Sequence, residues 1–228
     1  MEEEEYSLLF KIILIGDANV GKTNILSRYI SDTFLETSKS TVGVELATKV
    51  EQYNNKKIKI QIWDTAGQER YKGLIPSYVR NSSIVFLVYD VSKRTSFEHI
   101  NDWIEFVRNI ERTTMVLIGN KIDLNREVEK NEGEELAQKE GLIFFECSAK
   151  NNENIKNLFF SSVAVLPTFG VYDESEKDTI IRELLEENGG DDIKEGGENL
   201  DLFNQPPAQM NVDGEITMGN KKRKKCAC

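Results

Sequence analysis

Gly16-Asp17-Ala18-Asn19-Val20-Gly21-Lys22-Thr23 is the stretch on which the fold turns. It has the form G-x-x-x-x-G-K-[ST], which builds a phosphate-binding loop when a strand leads into it and a helix leaves it. Both neighbours fit. The apolar run Ile12-Ile13-Leu14-Ile15 precedes it, and residues 21–30 carry a helical pattern. In such a loop the backbone N–H groups around Ala18, Asn19, Val20, Gly21 and Lys22, continuing through Thr23 and Asn24, form an anion nest. The helix aims its positive N-terminus at the same point. Lys22 adds a fixed charge near the outer phosphates, and the Thr23 hydroxyl is placed to ligate Mg²⁺. The stretch predicts a bound nucleoside polyphosphate and leaves the base open.

Outward from the loop, strand-like and helix-like segments alternate. Residues 44–53 and 56–63 read as two strands joined at Asn54-Asn55, the second alternating with period two. Ile84 to Tyr89 and Met115 to Ile118 are continuous apolar runs, as expected of strands buried on both faces. Thr95-Ser96-Phe97-Glu98 is a capping-box pattern. It predicts one helix with Phe97, Ile100, Trp103, Ile104, Val107 and Ile110 on one face. Residues 130–140 read as a polar helix, 142–147 as a strand and 153–165 as a last helix. His99 falls at a polar position of its helix. The alternation with one hairpin predicts a mostly parallel sheet covered on both sides. Ligands of such sheets sit outside the C-terminal strand ends, and every motif below lies at one.

Asn120-Lys121-Ile122-Asp123 follows the strand ending at Ile118. A carboxylate accepts from two donors at once. Guanine offers two adjacent donors, N1–H and its amino group, where adenine presents an acceptor at N1. Asp123 therefore selects guanine. Cys147-Ser148-Ala149-Lys150 follows the next strand, and its backbone amides can reach the guanine carbonyl oxygen. Asp64-Thr65-Ala66-Gly67-Gln68-Glu69 ends the alternating strand. Asp64 is placed to hold Mg²⁺ through a water, because Mg²⁺ keeps several of its waters. The Gly67 N–H can meet the γ-phosphate, and Gln68 can orient an attacking water. Thr41, in Ser38-Lys39-Ser40-Thr41, offers a second hydroxyl to Mg²⁺, and Phe34 a ring to stack on guanine. Taken by their residue type alone, both are also compatible with ordinary loop positions.

Charge is unevenly distributed. The net charge is −10. Residues 168–220 carry 14 acidic and 3 basic side chains, and residues 221–225 are all basic. The globular part is charge-balanced, which argues against a nucleic-acid-binding face. No stretch approaches the ~18–20 apolar residues of a membrane span. The start, Met-Glu-Glu-Glu-Glu, is the opposite of a secretory signal, so the chain is expected in the cytosol. The expected organisation is an acidic extension at 1–5, a nucleotide-binding domain at 6–167, an acidic disordered tail at 168–220, and a basic end with two thiols at 221–228. Cys147 reads as a buried, reduced core residue. The basic end reads as a nuclear localisation signal or, with Cys226 and Cys228, as a membrane anchor.

G-D-A-N-V-G-K-T, D-T-A-G-Q-E, N-K-I-D and C-S-A-K, in this order and spacing, resemble the Ras-like small GTPases. The run Trp63 to Tyr71 and the Cys-x-Cys end resemble the Rab family, and residues 38–45 its recycling-endosome branch. The resemblance covers about residues 6–165. It implies a P-loop NTPase α/β fold, a six-stranded, mostly parallel sheet with one antiparallel strand and flanking helices. It implies a membrane-tethered switch that binds GTP/GDP with Mg²⁺, hydrolyses GTP slowly and serves vesicle trafficking. Gln68, Lys22 and Thr41 are then catalytic. Thr23, Thr41 and Asp64 hold the metal. Phe34, Ser38, Ser40, Gly67, Asn120, Lys121, Asp123, Ser148, Ala149 and Lys150 join the loop in holding nucleotide. Cys226 and Cys228 are then lipidated on the cytoplasmic face of endomembranes. Implied partners are an exchange factor, a GTPase-activating protein, a GDP-dissociation inhibitor, a prenylation escort protein and effectors reading residues 35–80, with no nucleic acid. The chain differs from the family pattern at Ala18, Asn19, Leu46 and Val79. A nuclear transport-type GTPase and a GTP-binding scaffold with negligible turnover are the competing readings.

Overall fold

The structure, a computed structural model, describes residues 6–36, 41–53, 56–67 and 73–166. Six strands form one sheet: β1 (Leu8–Ile15), β2 (Val44–Tyr53), β3 (Lys56–Thr65), β4 (Ile84–Asp90), β5 (Thr114–Asn120) and β6 (Ile143–Cys147). The order is β2-β3-β1-β4-β5-β6. β2 runs antiparallel to β3, and every other pair is parallel. The helices are α1 (Lys22–Ser31), α2 (Ile75–Val79), α3 (Arg94–Glu98), α4 (Ile100–Arg108), α5 (Lys130–Glu140) and α6 (Ile155–Ala164).

The apolar runs of β1 and β4 are explained by two cores, one on each face. Phe10, Ile12 and Leu14 of β1 join Phe86 and Val88 of β4 in the core that packs on α1 and α6. Ile13 and Ile15 join Val85, Leu87 and Tyr89 in the core that packs on α2, α4 and α5. Each strand therefore buries both of its side-chain rows. A fully buried Ile or Leu contributes about 1.5–3 kcal/mol. The chain leaves β1 for β2 and β3 on one side, then crosses to β4 on the other. The crevice at the C-terminal end of β1 is the ligand position such a reversal creates, and the loop of residues 16–21 fills it.

Two local expectations are corrected. Residues 94–108 are not one helix capped at Thr95. Thr95 lies inside α3, which has no side-chain cap, and α4 begins after a break at His99. The Ser96 hydroxyl is instead engaged with Asp90 and Lys93. The capping box belongs to α5, where Glu129 and Glu132 satisfy each other's backbone N–H groups. The last helix is also shorter than 153–165, starting at Ile155 and ending at Ala164. Cys147 is buried and free, as expected. Among the described residues no helix is long and apolar enough to cross a membrane.

Candidate functional site

The phosphate loop is held open by glycine geometry. Gly16 has φ +145° and Gly21 φ +99°, both in the region that favours glycine. A Cβ on Gly16 would lie 2.2 Å from the Val88 carbonyl oxygen, and one on Gly21 2.3 Å from Asn120 Nδ2. Lys22 folds back over the loop, its Nζ donating to the carbonyls of Gly16 (2.8 Å) and Asp17 (2.7 Å). Burial lowers its pKa to about 8, against the pull of Asp64 and Asp17. A polyanion beside Lys22 would offset that burial cost.

Three strand ends and loops bring one carboxylate and two hydroxyls together beside Lys22. Thr23 Oγ1 donates to Asp64 Oδ2 at 2.6 Å, and Thr41 Oγ1 lies 2.9 Å from Thr23 Oγ1 and 3.4 Å from the same carboxylate oxygen. Asp64 is fully buried, and among the described residues its Oδ1 has no hydrogen-bond partner. Burial raises its pKa, with Thr23 and Lys22 opposing. A buried carboxylate with an orphaned oxygen, flanked by two hydroxyls, suits a hard cation with oxygen ligands. Among the described residues no group of three or more His, Cys, Asp or Glu could hold a metal ion, so a cation here would rest on one carboxylate and two hydroxyls. The Mg²⁺ expectation therefore fits the residues present.

A cavity of about 520 Å³ extends from this cluster to the strand ends of β5 and β6. Its wall carries Ala18, Asn19, Thr23, Thr41 and Gly67 near this cluster and Asn120, Lys121, Asp123, Ala149 and Lys150 beyond β5 and β6, and Phe34 also lines it. The volume lies in the range of small-molecule sites, about 300–1,000 Å³. Leu35, Glu36 and Leu124 also line it and carried no sequence signal. Asn24 lines it too, while its amide exchanges two hydrogen bonds with the Leu35 backbone and so fixes the segment bearing Phe34.

Two expected binding residues do not line the cavity. Val20 is buried in the core, and its carbonyl accepts from Asn120 Nδ2 at 2.9 Å. Ser148 is fully buried, and its hydroxyl donates to Asp123 Oδ1 at 2.6 Å. Ser148 thus fixes the Asp123 carboxylate. Asn120 and Lys121 act as ties as well as wall. Asn120 Oδ1 accepts from the Ala149 N–H at 3.3 Å. Lys121 Nζ donates to the Asn19 carbonyl at 2.7 Å and to buried Asp90 at 2.6 Å. Arg28, unsuspected from sequence, reaches from α1 to the carbonyls of Ala149 and Lys150, both at 2.9 Å. Ser38, Ser40, Gln68, Cys226 and Cys228 lie outside the described residues.

Gly67 touches the loop from the other side. A Cβ there would lie 2.3 Å from the Asp17 carbonyl carbon and 2.5 Å from the Ala18 nitrogen. Only glycine lets the turn after β3 meet the phosphate loop. Nearby, Trp63 and Tyr78 pack with ring centroids 5.0 Å apart, and Val42, Leu46 and Leu74 are exposed.

Comparison with known proteins agrees with this geometry. The model of the Ras family matches residues 11–167. The chain is 48% identical over 161 residues to the Ras-related protein RGP2 of Oryza sativa, covering 69% of this chain and 74% of that one. It is 47% identical over 161 residues to RABA2c of Arabidopsis thaliana and to Rab11C of Lotus japonicus, with the same 69% and 74% coverage for each.

Proposed function

The chain belongs to the Ras family, as a Rab small GTPase that hydrolyses GTP and regulates vesicle trafficking, and from that premise we propose the role of each site residue. Lys22 and the loop N–H groups hold the phosphates. Asp123 reads the base, with Ser148 fixing its carboxylate. Phe34 flanks the base, and Ala149 and Lys150 offer backbone to its carbonyl edge. Thr23, Thr41 and Asp64 would hold Mg²⁺. When bound, Mg²⁺ offsets charge on the outer phosphate oxygens. Gln68 orients the attacking water, and Thr41 and Gly67 contact the γ-phosphate end. Each of the two anchors a segment that relaxes when the γ-phosphate leaves.

The convergence of Thr23, Thr41 and Asp64 carries this reading. It joins the phosphate loop to the segment before β2 and the end of β3, so occupancy of one centre is felt in two loops. The switch works in endosomal recycling, cycling between cytosol and the cytoplasmic face of endomembranes. Cys226 and Cys228 carry the lipid, and the basic residues 221–225 add attraction to anionic lipid. An exchange factor and a GTPase-activating protein set its state, a GDP-dissociation inhibitor and a prenylation escort protein handle its lipid, and effectors read residues 35–80.

The test is nucleotide binding and turnover by the purified protein. GTP is expected to be preferred over ATP, with slow intrinsic hydrolysis, on the order of 10⁻⁴–10⁻² s⁻¹. Gln68→Leu should lower hydrolysis and leave GTP binding intact. Equal affinity for ATP, or unchanged hydrolysis in Gln68→Leu, would overturn the assignment.

A further inference from the structure

His99 is the chain's single histidine. It stands between α3 and α4 with helical backbone, one turn before Trp103, and its Nδ1 lies 2.6 Å from Oδ2 of Asp17, the second residue of the phosphate loop. Oδ1 of the same carboxylate accepts from Trp103 Nε1 at 2.9 Å, one turn along α4. Both oxygens of Asp17 are therefore engaged by one helix start. The main chain of Asp17 serves the site directly. Its carbonyl accepts from Lys22 Nζ at 2.7 Å. It is also the backbone against which Gly67 closes.

We propose that His99 is a positioning residue that fixes the phosphate loop through Asp17 and slows nucleotide release, more strongly when its ring is protonated. A protonated ring donates to the carboxylate and adds an opposite charge beside it. A neutral ring, only as the Nδ1–H tautomer, still donates to the ionised carboxylate but brings no charge of its own. Among the described residues, the charged groups acting on the ring are Asp17 from the loop, Glu98 from α3 and Asp102 from α4. All three are carboxylates. The ring titrates above the usual imidazole value, first through its hydrogen bond to Asp17, then through Asp17's charge, with burial opposing. The side chain is 55% exposed, so solvent screens the pair and limits the effect. An exposed ion pair contributes little, and the charge that protonation adds to the ring corresponds to about a two- to five-fold change in release rate.

The proposal rests on the reading that residues 16–23 hold GDP phosphates, and the experiment separates the two. The full chain is loaded with methylanthraniloyl-GDP in saturating Mg²⁺. Release into excess GDP is followed from about pH 5.5 to 8.5, the range over which a histidine titrates. Uptake of the fluorescent nucleotide tests the reading, and the pH profile tests the proposal. The natural protein should release slowly at low pH and about two- to five-fold faster above the histidine's titration. His99→Asn, a neutral donor, should give a flat profile near the fast limb. His99→Phe should be flat and at least as fast. Thermal unfolding at each pH checks that both variants are folded, and His99→Asn carries the test if His99→Phe is not. A natural protein with no pH step overturns the proposal, and so does a folded variant that keeps the step.

Discussion

Replacing Asp123 by Asn tests the base assignment most sharply. Asp123 Oδ1 accepts from the buried Ser148 hydroxyl at 2.6 Å, and Ser148 Oγ in turn accepts from the Asn151 N–H at 3.0 Å. The carboxylate is thus held before any ligand arrives, and Asp123 lines the cavity. Guanine presents two donors to it. Each hydrogen bond to a charged acceptor is worth about 1.5–3 kcal/mol. In Asp123→Asn the amide oxygen still accepts one donor, but neutrally, and the amide NH₂ opposes the other. The expected loss is about 2–4 kcal/mol, or roughly 30- to 1,000-fold in GTP affinity. Xanthine carries a carbonyl where guanine carries its amino group, so the amide NH₂ gains a partner and xanthosine triphosphate should become the tighter ligand. Competition against methylanthraniloyl-GDP measures both affinities. A GTP loss under threefold, or no gain for the xanthine nucleotide, would refute the assignment of Asp123 to the base edge.

Two further predictions concern stability. Gly133 of α5 is packed so that a Cβ would come within 2.6 Å of the Phe144 ring and 2.7 Å of Tyr89 Oη. Gly133→Ala gains about 1 kcal/mol of helix propensity but incurs about 1–3 kcal/mol of overpacking. A melting temperature lowered by a few degrees, with guanine preference intact, is the expected outcome, and a raised one refutes the packing. Glu132 is held by Arg94 at 2.6 and 2.8 Å and by the Glu129 N–H, which lowers its pKa to about 2 from 4.5. A depressed carboxylate stabilises the fold above its unfolded value and loses that effect as pH falls through the folded one. Glu132→Gln should therefore be less stable than the natural protein at neutral pH, with the gap closing between about pH 4.5 and 2. A gap in denaturation midpoint that stays constant on acidification would contradict the ion pair.

Much of the site was legible because its motifs are contiguous. The loop of residues 16–23, N-K-I-D and C-S-A-K each place their groups by local backbone geometry, and each follows a strand whose apolar run marks it. What escaped were contacts between segments far apart in the chain. Arg28 bonds to Ala149 and Lys150, and Asp17 to His99 and Trp103. None belongs to a spaced pattern. The capping box was misplaced for a related reason. Thr95 and Glu98 have the right residue types, but Ser96 and its neighbours are drawn to the end of β4. Glu129, an atypical cap, sits where the helix begins.

The sequence by itself determined the order of the strands and of the helices after β1, β5 and β6, the phosphate loop and the chemistry that selects guanine, but not α2 or the division between α3 and α4. Strand runs, glycine positions and a carboxylate's acceptors are properties of short segments, so they survive without a fold. Tertiary structure alone decided that Asn120 and Lys121 hold the loop as well as line the cavity. It alone brought Thr23, Thr41 and Asp64 onto one point, with Asp64 Oδ1 buried and, among the described residues, unpaired. It alone set His99 against Asp17 of the loop. These arrangements depend on the parallel sheet setting distant strand ends side by side, and no local pattern encodes that distance.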